Sequence, residues 1–290
     1  MTTNNLRPQA IDALINRALL IDDEEAKDSG SLAFMARSMV QATLPHRAVA
    51  GNEFERKNGA FTLTMLASSK IGLPYGSIPR LLLAWVTTEA VKNKCRELEL
   101  GESMSAFMSA LGLTPTGGEN GSIRRLKEQA RRLFNTTILA TYEDGGGGAQ
   151  DIGYRLADKT VLWWPQEPDN GGVWMSSVTL SEAFFREIID RPVPIDMRAM
   201  TALKQSSMAL DIYTWLTYRA SYLTRTTVVP WPLLALQFGS DYSRLRDFKR
   251  AFSEELAKVY LVYRQVQAEA TEEGLCIKPS PTHIPAKSHK

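Results

Sequence analysis

Residues 240–259, S-D-Y-S-R-L-R-D-F-K-R-A-F-S-E-E-L-A-K-V, constrain the fold more than any other stretch of the chain. Tyr242, Leu245, Phe248, Phe252, Leu256 and Val259 recur at steps of three and four, which puts an apolar stripe along one side of a helix. Arg244, Arg246, Lys249 and Arg250 fall on the other sides, so the pattern predicts a helix with a cationic N-terminal half. Ser240 or Asp241 is expected to cap it, because a short oxygen-bearing side chain satisfies the free amides of a first turn. An isolated basic helix is ordinarily a solvated face, so its neighbours decide what this one can be.

Those neighbours form an ordered series. Upstream lies V-V-P-W-P-L-L-A-L-Q-F-G-S, read as a short helix opened by Pro230 and Pro232 and closed by Gly239. Residues 197–222 before it read as one long helix, with Leu203, Leu210, Ile212, Tyr213, Leu216 and Tyr218 inward. Downstream, residues 265–271 and 275–279 alternate like two strands around a Glu-Glu-Gly turn. Helix, short helix, tight turn, basic helix and hairpin is the order of a winged helix-turn-helix, in which the second helix of the pair enters the DNA major groove.

The same order occurs earlier in the chain. Residues 61–67 read as a strand, 80–98 as a helix, 102–111 as a shorter helix, and 114–121 as a break containing one proline and three glycines. Ser122 is expected to cap I-R-R-L-K-E-Q-A-R-R-L-F, where Ile123, Leu126, Ala130 and Leu133 form the stripe. Arg124, Arg125, Lys127, Arg131 and Arg132 stay outside, against the single acid Glu128. Strands are expected over 136–142 and 152–164 around a glycine-rich turn, with a possible third over 173–180 and a helix over 181–189. The fold expected is therefore α+β, helix-rich, with two tandem winged helix-turn-helix domains at 52–192 and 193–282. An N-terminal arm, 1–51, reads as partly ordered, with an amphipathic helix at 8–20 and another at 31–42, and residues 283–290 read as a flexible basic tail. The arm is either a plain terminus or a dimerisation or partner-binding segment.

The candidate DNA contacts are Arg124, Arg125, Lys127, Arg131 and Arg132 in the first basic helix, and Ser243, Arg244, Arg246, Lys249 and Arg250 in the second. Arginine at the start of a recognition helix can contact guanine in two places, which lysine does not reproduce. Total charge says little here, since 34 basic and 32 acidic side chains leave a net charge of +2. The 44% hydrophobic content is enough for well-buried cores. Cys95 and Cys276 lie far apart with no paired spacing, which suggests reduced thiols and a cytoplasmic protein. No apolar run approaches membrane-spanning length.

Catalytic chemistry is not legible, and no enzyme activity, metal or cofactor is expected. His46, His283 and His289 read as isolated residues in flexible-looking ends, without the spacing of a zinc site. The runs at Gly117–Gly121 and Gly145–Gly148 lack the lysine and hydroxyl of a phosphate-binding loop. No close carboxylate group suggests two-metal chemistry. Trp163, Trp164 and Trp174 fall in strand-like segments, where packing is a simpler reading than base stacking.

Several long stretches carry a resemblance: F-T-L-T-M-L-A-S-S-K-I-G-L-P-Y-G-S-I-P-R-L-L-L-A-W-V-T-T-E-A-V, V-T-L-S-E-A-F-F-R-E-I-I, P-V-P-I-D-M-R-A-M, L-D-I-Y-T-W-L-T-Y-R and D-F-K-R-A-F, between Phe61 and Phe252. In these the chain is similar to the plasmid-encoded RepA replication initiators of broad-host-range Gram-negative plasmids. The resemblance implies a protein that binds repeated sites, or iterons, in double-stranded plasmid origin DNA, and helps open the adjacent duplex. It also implies recruitment of host replication proteins such as an initiator, helicase or helicase loader, with control of copy number and a possible homodimer. The alternatives are a winged-helix transcriptional repressor and an origin-nicking rolling-circle enzyme.

Overall fold

The computed structural model describes residues 8–143, 146, 148–162, 176–239 and 242–285. Its first part runs α1 (Pro8–Asp23), β1 (Leu32–Met35), α2 (Arg37–Gln41), β2 (Glu53–Asn58), β3 (Phe61–Leu66), α3 (Ser77–Asn93), β4 (Glu97–Glu99) and α4 (Met104–Ala110). Then come α5 (Ser122–Phe134), β5 (Thr137–Glu143), β6 (Ala149–Arg155), β7 (Ala157–Val161), β8 (Ser177–Leu180), α6 (Glu182–Asp190) and β9 (Val193–Asp196). The last part is α7 (Met197–Leu203), α8 (Ser207–Ala220), β10 (Thr227–Pro230), α9 (Trp231–Phe238), α10 (Leu245–Val262), β11 (Ala268–Ala270) and β12 (Gly274–Ile277). The α+β fold with two tandem winged-helix units is thus the one expected.

In the second unit the apolar stripe of α10 does what its spacing requires. Phe248, Phe252, Leu256 and Val259 are buried, and Phe252 meets Trp231 and Phe238 edge-on at centroid distances of 5.7 and 5.6 Å. Edge-to-face aromatic pairs add about 0.5–1.5 kcal/mol beyond area burial, so this cluster fixes α9 against α10. Gly239 ends α9, and a Cβ there would stand 2.7 Å from the Phe248 ring; the missing side chain lets the turn close over that ring. The hairpin β11–β12 gains β10 as a further strand, in the order β10-β12-β11.

The first unit divides its strands between two sheets, β2-β3-β5-β6 and β4-β8-β7. Strand β3 pairs with both β2 and β5, and its Leu63 and Met65 are fully buried in the core. The charged strand β2 (E-F-E-R-K-N) alternates, with Phe54 and Arg56 turned inward. Proposed packing roles for Trp163, Trp164 and Trp174 lie outside the described residues.

Several local readings are corrected. The expected helix over 197–222 is two helices: the Asp196 side chain accepts from Arg198 N at 2.8 Å to start α7, and Ser206 Oγ accepts from Ala209 N at 3.2 Å to start α8. Each cap offers its helix an independent beginning, so the chain bends between them. The expected helix over 31–42 begins instead as β1, because Ala33 and Met35 alternate inward and the strand pairs antiparallel with β9. The helix expected to Leu98 stops at Asn93, where Lys94 takes a left-handed φ of 52°, and Leu98 belongs to β4. Ser240 and Asp241 lie outside the described residues; α10 starts at Leu245, with Arg244 in the cap position and no side-chain cap bond.

Residues 8–51 pack against both units. Helix α1 lies on α7 and α10, β1 pairs with β9, and the loop after α2 reaches the joint between α3 and α8. Buried apolar side chains form one continuous core from Ala18 to Ile277. Among the described residues no helix is long and apolar enough to cross a membrane.

Candidate nucleic-acid interface

The basic side of α5 is set by the loop before it. Ser122 is the first helical residue, not the cap: its hydroxyl donates to Thr114 O at 2.6 Å and accepts from Thr116 N at 2.9 Å. Gly121 holds the cap position, because a Cβ there would come within 2.3 Å of Thr116 O. This tight loop orients the first turn, leaving Arg124 and Arg125 exposed, with Arg131 exposed nearly two turns on. Arg124 also donates to Glu119 O at 3.1 Å. Lys127 is half-buried, which pulls its ammonium pKa below the usual value.

Arg132 is engaged differently. It pairs with Glu128 at 2.7 Å, donates to Leu73 O at 3.1 Å and lies over the Tyr75 ring at 5.4 Å. These contacts tie α5 to the loop before α3. That loop also brings Lys70 beside Lys127 and Arg131, along a groove of about 640 Å³. Lys70 stands in none of the basic helices, so helical periodicity gave no sign of it; only the fold brings its loop to α5.

In the second unit Ser243, Arg244, Arg246 and Arg250 are exposed around the start of α10. Neither Arg244 nor Arg250 pairs with a carboxylate among the described residues, and Arg246 reaches Asp247 only at 3.9 Å. Lys249 instead donates to Glu272 O at 3.2 Å and lies over Trp231 at 5.5 Å, bracing α10 against the hairpin turn. That turn exposes Glu272 and Glu273, so its tip is anionic.

A buried ion cluster joins the two units. Arg80 of α3 donates from Nε to Asp211 Oδ1 and from Nη2 to Oδ2, both at 2.6 Å, and its remaining donors reach Leu44 O, Pro45 O and Gly76 O. His46 Nε2 stands 2.8 Å from the same carboxylate of α8. Burial would raise the Asp211 pKa, but Arg80 and the His46 hydrogen bond outweigh it and hold the carboxyl below the usual range. Burial lowers the pKa of His46 despite the opposing pull of Asp211. His283 is likewise a structural residue, stacked on Tyr263 at 4.8 Å and bonded to the Tyr213 hydroxyl at 2.7 Å. The reading of His46 and His283 as isolated is therefore corrected; residues far apart in sequence complete both sites. Among the described residues no group of three or more His, Cys, Asp or Glu is placed to hold a metal.

Arg80 and Asp211 stand in two of the sequence stretches that resemble RepA initiators, and residues 73–231 match the family model described as plasmid-encoded RepA protein. The chain belongs to the RepA family of plasmid replication initiators. The match contains α5 and the Arg80–Asp211 pair of the ion cluster, and ends before α10. No curated protein matches this RepA-family chain. Two crystal structures of RctB domains 2 and 3 share its fold. One, a selenomethionine derivative, has a TM-score of 0.54 at 13% identity, over 83% of this chain and 97% of that one. The other has a TM-score of 0.51 at 15% identity, over 83% and 96%.

Proposed function

We propose that this RepA-family initiator binds repeated sites in double-stranded origin DNA with α5 and α10, promotes opening of the adjacent duplex and recruits host replication proteins in the cytoplasm. The observation that carries the reading is the equivalent place of two basic helices in two winged units, joined through a buried ion cluster. Base-edge contacts come from the first turns, where Arg124, Arg125, Arg244 and Arg246 stand, while cations further along grip phosphate. Lys70 extends the phosphate-facing surface of the first unit. The protein acts without a catalytic step, alone or as a homodimer.

Footprinting on the cognate origin across a salt series tests this. Phosphate contacts from Lys70, Lys127, Arg131 and Arg250 give a log–log slope of about −4, at roughly 0.9 per phosphate neutralised. A slope near −1, or metal-dependent nicking of supercoiled origin DNA by the purified protein, would overturn the reading.

A further inference from the structure

At the outer end of α8 the chain builds a second recess, of about 350 Å³, whose walls include Pro192, Tyr218, Tyr222 and Ile284 and whose lining also carries Arg37 and Arg191. Its aromatic wall is preformed. Tyr218 and Tyr222 meet at 5.0 Å, and Arg219 braces them by donating to the Tyr222 hydroxyl at 3.0 Å while lying over that ring at 5.5 Å. Arg37 has no ion-pair partner among the described residues, and Arg191 reaches only the neighbouring, equally exposed Asp190 at 3.5 Å. Arg37, Arg219 and Arg191 all act electrostatically on the Tyr218 hydroxyl. A recess whose lining joins aromatic and apolar side chains to two arginines suits a large apolar side chain flanked by carboxylates.

The position of the recess selects a protein over DNA. Thr282 and Ile284 line it, and the preceding Pro281 O accepts from the Tyr263 hydroxyl at 2.6 Å. Tyr263 caps the C-terminal end of α10, whereas Arg244 caps the other end. The 18 residues between them span about 27 Å at ~1.5 Å per residue, so the recess stays open while α10 lies on a duplex.

We propose that this recess docks an acidic segment of a partner protein, seating one large apolar side chain between Tyr218, Tyr222 and Ile284 and its flanking carboxylates on Arg37 and Arg191. The proposal rests on the recruiting role above only in taking a protein as the occupant. The test uses the full chain and a fluorescein-labelled peptide D-E-D-F-L-D-E, with K-K-K-F-L-K-K and D-E-D-S-S-D-E as controls, read by anisotropy. The acidic apolar peptide binds, its affinity falls about tenfold in Arg37→Glu and in Tyr222→Ser, and saturating origin duplex leaves it unchanged. Should Arg37→Glu fail to fold by circular dichroism, Arg37→Gln takes its place with the same expected direction. Equal binding of either control, full binding by the variants, or displacement by duplex overturns the proposal. So does binding of a short oligothymidylate that the same variants abolish, which would make the recess a nucleic-acid site. Duplex affinity is measured on every variant, so a peptide failure beside intact DNA binding removes the recess and leaves the DNA reading standing.

Discussion

Helices α5 and α10 each set cations beside an apolar stripe, yet they distribute those cations differently. In α5 one of the two last-turn arginines, Arg132, is bound to Glu128, Leu73 O and the Tyr75 ring, and Lys127 is half-buried. In α10 the first-turn arginines stand clear, and only Lys249 is drawn back to the hairpin turn. A basic residue on a helix can therefore serve its own domain or face outward, and sequence spacing does not distinguish the two. Part of the charge on α5 holds the first unit together, while most of that on α10 faces outward.

The largest expected effect tests whether the two helices act as one reader. Asp211→Asn or Arg80→Met leaves the other member of a buried pair uncompensated, which costs about 3–5 kcal/mol in measured cases. Denaturant unfolding should show that loss, and the binding of a full site should weaken more than the binding of a half-site. Equal weakening on both would mean that α5 and α10 do not depend on the joint.

Arginine replacements sharpen the comparison itself. Arg244→Ala and Arg246→Ala should each cost about 1–3 kcal/mol on cognate duplex and much less on scrambled duplex, and Arg124→Ala and Arg125→Ala should do the same if α5 also reads bases. Arg132→Ala should behave otherwise, lowering stability by about 1 kcal/mol with no change in sequence preference. A specificity loss in Arg132→Ala would erase the distinction drawn between the helices.

The smallest effect is a pH dependence of the joint. His46 is buried with its pKa below the ordinary 6.5, so the unfolded chain takes up the proton first as pH falls. Stability is full well above pH 6.5 and declines as the pH falls through it, because the unfolded chain protonates His46 while the folded one resists. His283 shifts in the same direction, so His46→Gln should reduce but not remove the decline in melting temperature. A decline unchanged by His46→Gln would take His46 out of the acid response.

Much of the local order was legible because it rests on periodicity and caps. The stripe Phe248, Phe252, Leu256, Val259 gave α10, and the prolines and Gly239 gave α9. Boundaries were harder where two caps interrupt one apolar pattern, as Asp196 and Ser206 do between residues 197 and 222. Strand β10 was missed because Thr227–Pro230 reads as the approach to a helix, and only pairing with β12 makes it a strand.

By itself the sequence determined the winged-helix order, the two basic helices and the family resemblance, since these depend on residues three or four apart or on long contiguous stretches. Only the tertiary structure decided which cations remain outward, that Lys70 joins α5, and that Arg80, Asp211 and His46 form one buried cluster. Those residues lie up to 165 positions apart, and an ion pair shielded from water depends on which surfaces the fold brings together, which no local pattern records.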